Sequence, residues 1–83
     1  MRPDWLRTAD ERILRYFEAH PPDYVPLMAS RLNVHLDYAE QRVALLVERG
    51  LLEPVTNERI YTVTDPGRRV LEAADEAVAT AED

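Results

Sequence analysis

Gln41 and Arg42 are the two side chains whose chemistry is most specific in this 83-residue chain. A Gln amide can pair bidentately with adenine and an Arg guanidinium with guanine, so the pair could read base edges in a major groove. His35, Leu36, Asp37 and Tyr38 stand just before them. Arg59 lies further along, where it could reach a phosphate or a narrow minor groove. His35, Leu36, Asp37, Tyr38, Gln41, Arg42 and Arg59 are therefore the candidate DNA-binding set. Against it, exposed Gln and Arg on a helix usually form only a solvated face, and an Arg on an exposed strand is ordinary edge protection. Asp37 and Glu40 would repel phosphate unless they accept from cytosine or orient a neighbouring Arg.

Other chemistries find less to stand on. The chain has no Cys, which excludes thiolate metal sites and a disulfide framework, and His20 and His35 are too far apart in sequence to suggest a zinc pair. No nucleophile and base stand at a suggestive spacing, only two Gly are available for a phosphate loop, and the carboxylates are spread over predicted solvent faces. The expectation is a protein without catalytic, metal or cofactor sites. No separate small-molecule domain is expected within these 83 residues.

The reader pair must be held by residues 26 to 49, which read as a helix, a tight turn and a second helix. Pro26 is tolerated in a first helical turn, and Leu27, Met28 and Leu32 supply an apolar face over 26–32. Asn33 tolerates the left-handed conformation that the corner requires, and Val34 can plug the gap between the helices. His35 or Asp37 caps the next helix, 36–49, along which Ala39, Val43, Leu46 and Val47 recur at helical spacing. Gly50 ends it in a left-handed C-cap.

Around this unit the remaining elements fall in order. Residues 1–7 are an arm whose Trp5 and Leu6 cover an edge of the core. Thr8 and Glu11 fit a capping box that opens helix 8–20, with Ile13, Leu14 and Phe17 inward and Arg12, Arg15 and Glu18 outward. Pro21-Pro22 stops that helix, and His20 in its last turn suits the helix dipole. Strands at 52–55 and 59–63 form a two-stranded wing over 52–63, joined by Thr56-Asn57-Glu58. Thr64 caps a last helix at 65–79, where Val70, Leu71, Ala74, Ala77 and Val78 form one stripe.

Composition sets the limits on this arrangement. Eighty-three residues allow one domain with a small core, and the stripe on the last helix suggests a homodimer formed through that helix and the N-terminal arm. The longest apolar run, VALLV, cannot cross a bilayer and the N-terminus lacks the apolar core of a signal peptide, so a cytoplasmic protein is expected. All ten basic residues are Arg, and the net charge is −6, the wrong sign for an ordinary nucleic-acid binder. Five of the 16 acids lie in residues 72–83, which leaves 11 against ten Arg in the body. An acid-rich, Lys-free, Ala- and Val-rich sequence matches proteins of salt-loving archaea, though a GC-rich genome also lowers Lys.

The order helix, helix, turn, helix, then LVERGLLEPV, a turn and RIYTVTDPGRRVLE, resembles the winged helix-turn-helix transcription regulators. It is similar in particular to the haloarchaeal group resembling the repressor of the halophage PhiH, over roughly residues 5–72. The resemblance implies a mainly α fold with a small β-hairpin: a three-helix core, a two-stranded wing and a C-terminal helix. It also implies sequence-specific binding of double-stranded DNA and transcriptional regulation, usually repression, with the reader helix at Leu36–Arg49 and the wing at Glu53–Val63. Winged helices also serve as protein-docking modules, in which Tyr24, Tyr38 and the acidic tail would meet a protein. Pairing of Arg42 and Arg59 with acids inside the fold would favour that alternative.

Overall fold

A computed structural model of the protein describes residues 4–20, 22–55, 57–58 and 60–81, with side chains through Ala74. The first helix, α1, spans Thr8–Ala19. Its cap is one residue earlier than the Thr8/Glu11 pattern predicts. Arg7 is the N-cap, its N–H donating to Asp10 Oδ2 at 2.8 Å while the Asp10 N–H donates to the Arg7 carbonyl at 2.9 Å. Asp10 takes this role because its carboxylate is also engaged from the inside of the fold, as described below. Ile13, Leu14 and Phe17 are fully buried, as their spacing predicts, and Tyr16 joins them.

A strand of two residues, β1 (Asp23–Tyr24), follows, where the alternation of side chains predicts none. Its partner comes from the far end of the chain, so no local pattern announces it. Helix α2, Val25–Leu32, carries Pro26 in its first turn, where the missing N–H costs nothing. Met28 and Ala29 supply its buried face together with Val25. Leu27, expected on that face, is 42 % exposed, and Leu32 is half-buried. The Arg12 guanidinium reaches across from α1 to donate to the Leu32 carbonyl at 2.8 Å, satisfying one of the open acceptors at the end of α2.

The corner between α2 and α3 is made by Asn33, at φ 57° and ψ 44°, the left-handed conformation that Asn tolerates better than most residues. The Val34 N–H donates back to the Ala29 carbonyl at 2.9 Å, and the Val34 side chain packs on the core. Helix α3 then spans Leu36–Glu48, burying Ala39, Val43 and Leu46. It ends in paired reverse bonds, Gly50 N–H to Val47 O at 3.0 Å and Leu51 N–H to Leu46 O at 2.9 Å, with Gly50 at φ 78°.

Strands β2 (Leu52–Pro54) and β3 (Ile60–Val63) pair antiparallel with Leu52 opposite Val63, and β1 adds to the free side of β3. The result is a three-stranded antiparallel sheet in the order β1-β3-β2 rather than a two-stranded hairpin alone. Alternation sends Leu52, Tyr61 and Val63 toward the helices and Glu53 to solvent. Thr56 and Arg59 lie outside the described residues.

The last helix, α4, spans Asp65–Ala81. Thr64 caps it as expected, accepting from the Gly67 N–H at 3.1 Å, and donates to the Gly50 carbonyl at 2.6 Å, which ties the start of α4 to the end of α3. Gly67 allows the approach: a Cβ there would overlap the Leu51 carbonyl oxygen and sit 2.8 Å from Val63 Cγ1. Leu71 and Ala74 are buried and Val70 packs at the margin. The side chains of Ala77 and Val78 lie outside the described residues. The protein is thus mainly helical, with one small antiparallel sheet closing the core.

Candidate nucleic-acid interface

Two consecutive elements, α2 and α3, position most of the candidate residues. The cap of α3 is His35, whose Nδ1 accepts from the Asp37 N–H at 3.3 Å; Asp37 itself sits exposed in the first turn, where a carboxylate suits the helix dipole. Leu36 is 38 % exposed, a large apolar side chain at the very start of the helix. Asp37, Gln41, Ala44 and Glu48 are all exposed and recur at three- and four-residue spacing, so they form one outward stripe down α3. Tyr38 and Glu40 flank it, half-buried.

Arg42 is not on that stripe. It was expected beside Gln41 on the exposed end of the helix, but its guanidinium turns inward and is 13 % exposed. Nε donates to Asp10 Oδ1 at 2.7 Å and Nη2 to Asp10 Oδ2 at 2.5 Å, a bidentate pair with a carboxylate that is wholly buried. The physical reason is burial: a carboxylate removed from water must be paired, and the geometry of guanidinium matches both its oxygens. Hydrogen bonding to Asp10 pushes the Arg42 guanidinium above its ordinary range; burial opposes this, while the charge of Asp10 and the Tyr38 phenol add to it. Arg42 therefore orients α3 rather than presenting itself to a ligand. It is also the only basic residue within α3, so the outward stripe carries two acids and no cation.

The structure thus brings His35, Leu36, Asp37 and Gln41 together at one end of α3, with Tyr38 at the margin, and takes Arg42 out of the group. Arg59 is outside the described residues. Helix-face arithmetic carried a signal for Arg42, since it follows Ala39 by three residues and precedes Leu46 by four, both buried.

A second polar cluster was not anticipated as a unit. Tyr16 donates its hydroxyl to Asp23 Oδ2 at 2.7 Å, the Tyr24 N–H donates to Asp23 Oδ1 at 2.7 Å, and the His20 ring stacks on Tyr16 at 4.6 Å between centroids. His20 Nδ1 also lies 3.1 Å from the Tyr16 carbonyl, so this His is engaged locally at the end of α1. Burial would push the Asp23 carboxyl up, but the Tyr16 and Tyr24 hydrogen bonds, with the charges of Arg31 and His20, outweigh it and hold it below the ordinary range. Burial and the same carboxylate raise the Tyr16 phenol.

Two concavities accompany the helix. A cleft of about 130 Å³ between α3 and β3 is lined by Val25, Glu40, Val43, Ala44 and Tyr61. A more open groove of about 530 Å³ lies against the outer face of the sheet, at Tyr24, Asn57, Glu58 and Ile60. Among the described residues, no group of three His, Asp or Glu is placed to hold a metal ion, and no helix is long and apolar enough to cross a membrane. In comparisons with protein-family models and with curated proteins, no family model and no curated protein matches the chain.

Proposed function

We propose that the chain is a winged helix-turn-helix transcription regulator that binds double-stranded DNA sequence-specifically, acting as a repressor. The observation that supports this best is the corner itself: α2 and α3 joined through left-handed Asn33, with Val34 packed beneath, followed directly by the β2-β3 hairpin. In this reading α3 enters the major groove by its N-terminal end, where Leu36 can meet a thymine methyl, Gln41 can pair with adenine and Asp37 can accept from cytosine. The hairpin is the wing. A homodimer, formed through α4 and the N-terminal arm, would read an inverted repeat with half-sites about one helical turn apart.

Selection from random double-stranded DNA in molar KCl tests the reading, comparing the native chain with Gln41→Ala. Enrichment of a palindromic site that the variant loses, with thermal unfolding unchanged, is the expected result. Arg42 is left intact in this test because its removal would unbalance Asp10 and confuse folding with binding. If the folded native chain enriches no site, the regulator reading is wrong.

A second reading is favoured by the same internal pairing of Arg42. With no free cation on α3, its stripe of Asp37, Gln41, Ala44 and Glu48 would suit a partner protein with a basic surface, making the chain a docking module. Capture of such a partner by the native chain, lost on Glu48→Arg, alongside a failed DNA selection, would establish it.

A further inference from the structure

The N-terminal arm is held at three points, and all three involve α3 or the carboxylate that grips α3. The Arg7 N–H donates to Asp10 Oδ2, the same oxygen that receives Arg42 Nη2. Arg42 Nη2 also lies 3.4 Å from the Trp5 carbonyl, the weakest of these bonds. The Arg49 guanidinium sits over the Trp5 ring, 5.2 Å from its centroid, at cation–π distance. Arg42 lies within α3 and Arg49 is its C-cap residue, seven positions or about two helical turns further on, so the two fall on the same side of the helix. Leu6 between the two anchors is buried in the core. A single buried carboxylate thus joins arm and helix, and Arg42 of α3 with Arg49 at its C-cap closes over the arm.

We infer that the arm, Asp4–Arg7, is a latch that fixes the rotation of α3 about its own axis, with Arg42 and Arg49 as the positioning residues. The use of that latch rests on the DNA-binding reading: it would set the angle at which Gln41 and Asp37 meet the groove. The outward stripe lies about a third of a turn round the helix from the Arg42–Arg49 line, at 100° per residue. Rolling α3 would therefore sweep Gln41 sideways. Ala39, Val43 and Leu46 anchor the helix on its buried side. The two long arginines on the flank hold the angle. Releasing the arm should accordingly loosen α3 without unfolding the domain.

Hydrogen exchange in the full chain tests this, with Trp5→Ala and, as a milder variant that keeps a charge beside Asp10, Arg42→Lys. Lys keeps the charge but lacks the planar fork that matches both Asp10 oxygens. In both variants the amides of α3 should exchange faster relative to those of α1, and in Arg42→Lys the emission of Trp5, the only Trp, should shift to the red as the ring is released. Binding of the selected DNA by Trp5→Ala should weaken by about five- to tenfold. Uniform acceleration over all helices, or none, overturns the latch, as does loosened α3 with DNA affinity unchanged. If α3 loosens selectively but the native chain selects no DNA, the latch stands and the regulator reading falls.

Discussion

Asp10 accepts three hydrogen bonds while fully buried, and the cost of removing a charge from water is what makes that arrangement consequential. Breaking a buried pair from one side leaves the other charge stranded, at about 3–5 kcal/mol, whereas replacing both partners by apolar side chains of similar volume can be close to neutral. Asp10→Ala should therefore lower stability by about 3 kcal/mol or more, and Asp10→Leu combined with Arg42→Met should recover most of it, as read by urea unfolding. Equal losses in the single and double variants would show that the pair matters by its hydrogen bonds to the arm and not by charge balance. Side chains that satisfy neighbouring backbone groups are legible in the sequence, and those paired with distant residues are not. Asn33, Gly50 and Thr64 were legible because each satisfies backbone groups a few residues away. The sequence pattern places the cap of α1 one position late, because Thr8 and Glu11 also fit a capping box and the choice of Asp10 depends on Arg42, 32 residues distant. The same distance hid the inward turn of Arg42.

At the scale of elements, the contact between α1 and β1 is tied by Tyr16 and Asp23, and β1 in turn pairs with β3, with Asp23 opposite Tyr61. A strand of two residues has no periodicity to read, which is why the third strand of the sheet was not legible although the hairpin beside it was. The bond between phenol and carboxylate is worth roughly 1 kcal/mol, somewhat more if the charge is well shielded from water. Its pH dependence has two limbs. The Asp23 pKa is depressed, so its contribution is present above the unfolded value of 3.8 and fades as pH falls through the lower folded value. The Tyr16 pKa is raised, so its contribution is complete below 10.0 and fades as pH rises through the higher folded value. Tyr16→Phe should thus lower the melting temperature by about 4–8 °C between roughly pH 5 and 9, with the gap to the native chain narrowing at both extremes. A gap that is constant down to pH 2 would mean that Asp23 takes no part. The same arithmetic of close approach explains Gly67, which reads in sequence as a helix-start residue; only the folded chain places the Leu51 carbonyl where a side chain would stand.

For the whole molecule the governing quantity is charge. A net charge of −6 repels a polyanion, and an ordinary DNA-binding domain overcomes repulsion with Lys and Arg that release counterions from phosphate. Here Lys is absent, the only Arg of α3 is bound to Asp10, and residues 72–83 hold five acids and no Arg. The usual electrostatic gain is therefore small, and so is its loss as salt rises. On the proposed regulator reading, binding would have to rest on desolvation, base hydrogen bonds and shape, and we propose that cations from solution bridge Asp37, Glu40 or Glu53 to phosphates. A protein that neutralises phosphates with its own cations loses affinity with a logarithmic slope of about −0.9 for each contact. A protein that recruits cations instead should show a slope near zero, or a positive one, because each bridge takes up an ion while long-range repulsion is screened within about 3 Å at molar strength. Affinity for the selected site, measured from about 0.5 to 3 M KCl by fluorescence anisotropy, should accordingly stay level or rise. A slope of about −3 or steeper would require at least three phosphates neutralised by arginines of this chain, and would overturn the cation-bridged account while leaving α3 as the reader.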